Sequence, residues 1–279
     1  MKVFGDSVFD QTWGLLLIGH GTHHAAGVEQ FLALAGLVAK RLGDTPVEPA
    51  FLEIQSPTID DGVQSLLERG ARRIVIVPAL LFAAGHAKHD VPAAVAAAVR
   101  DVPDVVVCQA EHFGCRREIL ELSRRRYEQA VHDQGDIGPA ETCLVLIGRG
   151  SRDEIATAEM HEFARLRSEQ ADVAETAVGF IAMAQPPLSE VLERVAAQRY
   201  RRIVVQPHLL FSGDMLCDVV REVIAMSRAH PDQHWLIAPV LGSDLLTGGD
   251  AAELLIAAVM NAFERALGEH LANASPFCD

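Results

Sequence analysis

Three short stretches concentrate the side chains that could do chemistry: LLLIGHGTHH at 15–24, FLEIQSPTID at 51–60 and PALLFAAGHAKHD at 78–90. Together they supply His20, His23, His24, Glu53, His86, Lys88, His89 and Asp90. Two histidines and a glutamate suit a borderline divalent ion such as Fe, Co, Ni or Zn. Neutral imidazole is the usual partner of such an ion, and a carboxylate compensates its charge. Three or fewer protein ligands leave coordination positions open, which fits either metal-assisted hydrolysis or the transfer of the metal to another ligand. Each residue also has an ordinary alternative. Gly-His-Gly suits a tight turn, Glu53 suits a solvated strand end, and His86 and His89 suit a loop whose Asp90 caps a helix with Pro92 in its first turn.

These residues matter jointly only if the fold brings them to one place. Apolar runs at 15–18, 47–52, 74–78 and 104–109 alternate with helical stretches near 25–42, 58–69, 91–100 and 116–131. A β-α alternation of this kind predicts a parallel sheet covered on both faces, and the right-handed crossover rule leads to a flavodoxin-like layout. Ligands of such sheets bind beyond the carboxyl ends of the strands. Strand one runs into His20, strand two into Glu53 and strand three into His86, so all three are expected at the same edge.

The arrangement occurs twice. At an offset of 129 residues LIGHG (17–21) falls on LIGRG (146–150), Phe51 on Phe180, Pro57 on Pro186 and RRIV (72–75) on RRIV (201–204). Seventeen identities fall between 15 and 82 without a gap, against about five expected by chance, which marks an internal duplication. The expected architecture is two tandem flavodoxin-like three-layer αβα domains with parallel sheets, at 13–132 and 142–270, facing each other across a cleft. HDQGDIGPAE reads as the linker. In the second copy His20 becomes Arg149, Glu53 becomes Ala182 and His86 falls near Asp214. The chemistry is therefore assigned to the first copy. His208, Met215 and Cys217 are the residues from which a second metal site could be built.

Composition narrows the remaining classes. A formal charge of −14 over 279 residues, without a basic tract, argues against nucleic acid as a partner. The start MKVFGDSVFD lacks an apolar signal core and no apolar run approaches the ~20 residues of a membrane span, so a cytoplasmic protein without a membrane association is expected. Five scattered cysteines without a CxxC point to reduced thiols. No Walker-type loop, GxGxxG or GxSxG is present.

The three motifs resemble those of the sirohydrochlorin chelatases, in particular the two-domain bacterial form among the class II tetrapyrrole chelatases. The likeness is dense in the first half and reaches the second through its degenerate copy. It implies metal ligation by His20, Glu53 and His86, and insertion of Fe(II) or Co(II), with Ni(II) a further option, into sirohydrochlorin without ATP, in siroheme or cobalamin synthesis. The metal is then a substrate, and no permanently bound cofactor is implied. The macrocycle carboxylates would be held by residues such as His23, Lys88 and Arg149. The duplication implies a monomer that serves as its own pseudo-dimer. Thr22 departs from the commoner GHGS motif, and the chain lacks the His-rich tail of some cobalt-inserting members. A metal carrier without turnover and a metallohydrolase are the alternatives.

Overall fold

The computed structural model describes residues 13–82 and 85–274, and the side chains of all of these except 85–88, 250, 251, 273 and 274. The first sheet has the order β2-β1-β3-β4, built from β1 (Trp13–Gly19), β2 (Val47–Phe51), β3 (Arg73–Pro78) and β4 (Val106–Gln109). All its pairings are parallel. The second sheet repeats that order with β5 (Thr142–Gly148), β6 (Glu175–Phe180), β7 (Arg202–Pro207) and β8 (His234–Ile237), again all parallel. The intervening helices are α1 (Ala25–Leu42), α2 (Ile59–Glu68), α3 (Gly85–Ala98), α4 (Arg117–Val131), α5 (Glu154–Gln170), α6 (Leu188–Ala196), α7 (Asp214–Ala229) and α8 (Asp250–Ala274). This is the α/β class expected from the alternating pattern.

The central strands β1 and β5 are buried along their whole length. A parallel strand covered on both faces has to be apolar on both, and WGLLLIG and TCLVLIG satisfy this. Alternate residues then serve opposite layers. Leu16, Ile18, Ile74 and Ile76 share one core with Ile59, Val63 and Leu66 of α2 and Val91 and Val95 of α3. In the second sheet Cys143, Val145, Ile147, Ile203 and Val205 do the same with Leu188, Val191 and Leu192 of α6 and Val219 and Val223 of α7.

Helix α2 starts on a reciprocal cap. The Asp61 amide donates to Thr58 Oγ1 at 3.2 Å, and the Thr58 amide donates to Asp61 Oδ2 at 2.8 Å. These bonds hold the Asp61 carboxyl below the usual carboxylate range, the backbone bond from Thr58 being the larger cause.

Helix α3 differs from the sequence reading, which starts a helix at 91 with Asp90 as its cap. The helix begins at Gly85 and contains Pro92. Alanine and lysine in GHAKHDVPAAVAAA favour the helix enough to carry it past the proline, whose missing N–H leaves one backbone bond unmade. His86 therefore lies in a first helical turn rather than in a loop.

The packing divides into two compact units whose boundaries differ from those of the repeat. One contains the described parts of Met1–His23, Phe31–Phe113 and Ile256–Asp279, and the other contains His24–Gln30 and Gly114–Leu255. Most of α8 thus belongs with the first sheet, where the His270 ring meets Trp13 edge-on at 5.9 Å. Helix α4, which closes the first repeat in sequence, packs on α5 and β7. Its Ser123 accepts from Arg167 Nε at 3.0 Å and from Gln206 Nε2 at 3.0 Å, and its buried Arg126 pairs with Asp244 at 2.6 Å. Among the described residues no helix is long and apolar enough to cross a membrane.

Candidate metal site

The site is prepared by backbone before any side chain enters it. Beyond the last residues of β1 and β2 the ladder continues: the Leu52 amide donates to Gly19 O at 2.8 Å and the Glu53 amide to His20 O at 3.1 Å. Gly21 turns the chain with φ 101°, and a Cβ there would lie 2.0 Å from the Glu53 carbonyl oxygen. No side chain fits that gap, so the second glycine of Gly-His-Gly is required by the approach of the two loops. Gln55 adds a further tie by donating from Nε2 to Thr22 O at 2.8 Å.

This frame sets two of the three expected ligands side by side. His20 Nδ1 stands 3.2 Å from Glu53 Oε1, with the two side chains 34% and 52% exposed. Donor atoms bound to one first-row metal at about 2.0–2.2 Å stand about 2.8–3.1 Å apart in octahedral and about 3.3–3.6 Å apart in tetrahedral geometry. The observed 3.2 Å is that of an imidazole–carboxylate pair and falls within the span of such edges, and both side chains remain partly exposed. Among the described residues no group of three His, Cys, Asp or Glu side chains could hold a metal.

The other expected residues are placed as follows. The backbone of His86 sits in the first turn of α3, in the same compact unit as His20 and Glu53; its side chain and that of Lys88 lie outside the described residues. His23 is exposed, two residues beyond Gly21, and His89 and Asp90 are exposed on α3. Arg149 is exposed just after β5 in the other unit.

The second copy keeps the frame without the imidazole and carboxylate. Ile181 and Ala182 donate to Gly148 O and Arg149 O, both at 3.0 Å, and Gly150 has φ 86° with a Cβ position 1.7 Å from the Ala182 carbonyl oxygen. Where the first copy has His20 and Glu53, Arg149 and Ala182 stand on an equivalent backbone.

His208 does not join Met215 and Cys217. It is buried against Phe163, with ring centroids 3.9 Å apart, and burial, reinforced by the nearby Arg167 charge, lowers its pKa to about 3. Cys217 lies instead 3.7 Å from His24 Nε2, which is 3.3 Å from Asp214 Oδ1. Burial raises the thiols of Cys108 and Cys115 to about 11 and that of Cys143 to about 12, so these stay protonated at neutral pH and are poor metal ligands. The contributions of Thr22 and Gln55 were invisible to reasoning from residue type, because one acts through its carbonyl and the other through an amide that any loop could carry.

Comparison with known proteins covers both copies of the repeat. A family model described as CbiX matches residues 14–130 and 143–248. A sirohydrochlorin ferrochelatase of Priestia megaterium is 32% identical over 229 residues, 82% of this chain and 84% of the relative. A sirohydrochlorin cobaltochelatase of the same organism is 26% identical over 82% of this chain and 74% of the relative. Among solved structures, SirB from Bacillus subtilis with Fe3+ superimposes with a TM-score of 0.78 at 25% identity, covering 92% of this chain and 98% of that one.

Proposed function

The chain belongs to the CbiX family, and on that premise we propose that it inserts Fe2+ or Co2+ into sirohydrochlorin without ATP. The observation that carries this reading is the pairing of His20 Nδ1 with Glu53 Oε1 at 3.2 Å beyond the carboxyl ends of two adjacent parallel strands, on side chains that remain open to an incoming ligand. His20, Glu53 and His86 act as the metal-holding set. The metal is substrate, and an open coordination sphere is what its transfer needs. As pyrrole nitrogens take over the ion they replace protein donors one at a time, and two N–H protons leave the ring. Glu53 or a histidine released from the metal receives one of them. His23, Lys88 and Arg149 bind carboxylates of the macrocycle, Lys88 and Arg149 supplying local positive charge in a chain of net charge −14.

Relatives that bear the names of a ferrochelatase and of a cobaltochelatase support both metals, and nickel is a further option for the same donor set. The protein acts as a monomer, since one chain already carries both copies of the repeat. An absorbance scan of the protein with sirohydrochlorin and either ion tests the reading, because insertion alters the spectrum of the ring. Conversion faster than in protein-free mixtures is expected. A metal carrier would bind the ion and leave that rate unchanged.

A further inference from the structure

The residue that follows Glu53 has a conformation its side chain does not favour. Ile54 has φ 73°, and the Gln55 amide donates to the Glu53 carbonyl at 2.8 Å, closing a three-residue turn around it. A turn of this hand is rare and strained, and a β-branched residue is the least suited to its centre. Glycine or asparagine would satisfy the backbone at lower cost. The isoleucine is not compensated by burial either, since it is 50% exposed.

The duplicate repeats the anomaly. Met183 has φ 60°, the Ala184 amide donates to the Ala182 carbonyl at 2.7 Å, and Met183 is 52% exposed. The turn is therefore a property of the repeat, but its geometry does not demand a large apolar residue at the centre. Two copies that have diverged at His20 and Glu53 both keep one there. Strain of this kind concentrates where a ligand is held.

We infer that Ile54 is a substrate-positioning residue, held out by its strained turn so that its side chain packs on the apolar face of the flat macrocycle beside the metal pair. The inference rests on the tetrapyrrole reading above and adds to it a contact with the ring system, distinct from contacts with its carboxylates. The location fits: Glu53 is the preceding residue, and a Cβ placed on Gly21 would come within 3.6 Å of Ile54 Cβ, so the side chain leaves the backbone beside the Gly-His-Gly turn. Met183 offers an equivalent apolar contact in its own unit.

The test is a titration of the metal-free protein with sirohydrochlorin, followed by ring absorbance, for wild type, Ile54→Asn, Ile54→Gly and Met183→Asn. Ile54→Asn and Ile54→Gly are expected to weaken binding about three- to tenfold, the range for losing the burial of half an isoleucine side chain. The thermal midpoint of Ile54→Asn should be equal to or above that of wild type, because the turn is relieved. Unchanged macrocycle affinity in both Ile54 variants, with wild type binding normally, would overturn the inference and leave the chelatase reading standing. A lowered midpoint in both Ile54 variants, with affinity falling only in proportion to the unfolded fraction, would also overturn it, since Ile54 would then serve the fold. Failure of wild type to bind the macrocycle would remove the chelatase reading itself. Met183→Asn reports separately on the second copy, and its effect on affinity should be no larger than that of Ile54→Asn.

Discussion

At the scale of single residues, the proposed site separates side chains assigned to the chemistry from residues that make room for it. His20 is of the first kind. It is one-third exposed, and its backbone carbonyl, which a substitution keeps, accepts from the Glu53 amide of the neighbouring loop. His20→Ala should therefore change stability by no more than about 0.5 kcal/mol. It should slow metal insertion about 100-fold or more, as expected for loss of a metal ligand. Chemical denaturation and initial rates on the same preparation check both halves of that statement. Gly21 is of the second kind. Gly21→Ala puts a methyl 2.0 Å from a backbone oxygen at a positive φ, and should cost about 2 kcal/mol or more while also separating Glu53 from His20. Reading residue types at strand ends was enough to select His20 and Glu53, because the apolar runs of β1 and β2 end just before them. It could not show that one imidazole nitrogen and one carboxylate oxygen meet, or that Ile54 adopts a left-handed turn, because neither leaves a mark in spacing.

At the scale of elements, two cases show what decides a boundary. The capped start of α2 follows from local chemistry, Thr58 and Asp61 being three residues apart with complementary donors and acceptors. Thr58→Ala should cost about 1 kcal/mol in denaturant unfolding and leave insertion within twofold of wild type. The start of α3 was misjudged from sequence because Asp90 and Pro92 imitate a helix beginning, while the alanine-rich run around them favours a longer helix. The end of β7 provides a pH-dependent prediction. His208 is buried and its pKa is lowered to about 3, whereas the unfolded chain protonates it near 6.5. Below the unfolded value the unfolded state binds the proton and the native state does not. The stability associated with neutral His208 is thus complete above about 6.5 and is lost as pH falls from there toward 3, by up to about 1.4 kcal/mol per pH unit. His208→Phe should flatten the acid limb of the stability curve across that window. Parallel limbs for the two proteins would mean that His208 is hydrated in solution.

At the scale of the whole molecule, the repeat was plain in the sequence but the exchange of closing helices was not. Apolar periodicity shows that α4 and α8 each bury a face, and does not say on which sheet. In the structure α4 packs on α5 and β7, and most of α8 belongs to the unit of the first sheet. Residues 13–132 made alone would lack α8 and would leave Ser123 and Arg126 without the partners they have in the full chain. Such a fragment should aggregate or show no cooperative thermal transition, while the full chain should sediment as a monomer at all concentrations tested. The central claim is that the imidazole and carboxylate at the ends of β1 and β2 hold the metal that the macrocycle receives. It is tested most directly by comparing wild type with Glu53→Gln for Co2+ affinity and for insertion rate at saturating sirohydrochlorin. Glutamine keeps the size of the side chain and removes its charge, so both quantities should fall together, by about tenfold or more, with an unchanged fold. Equal affinity and equal rate in the two proteins would contradict the account and leave Glu53 a solvated residue at the end of a strand.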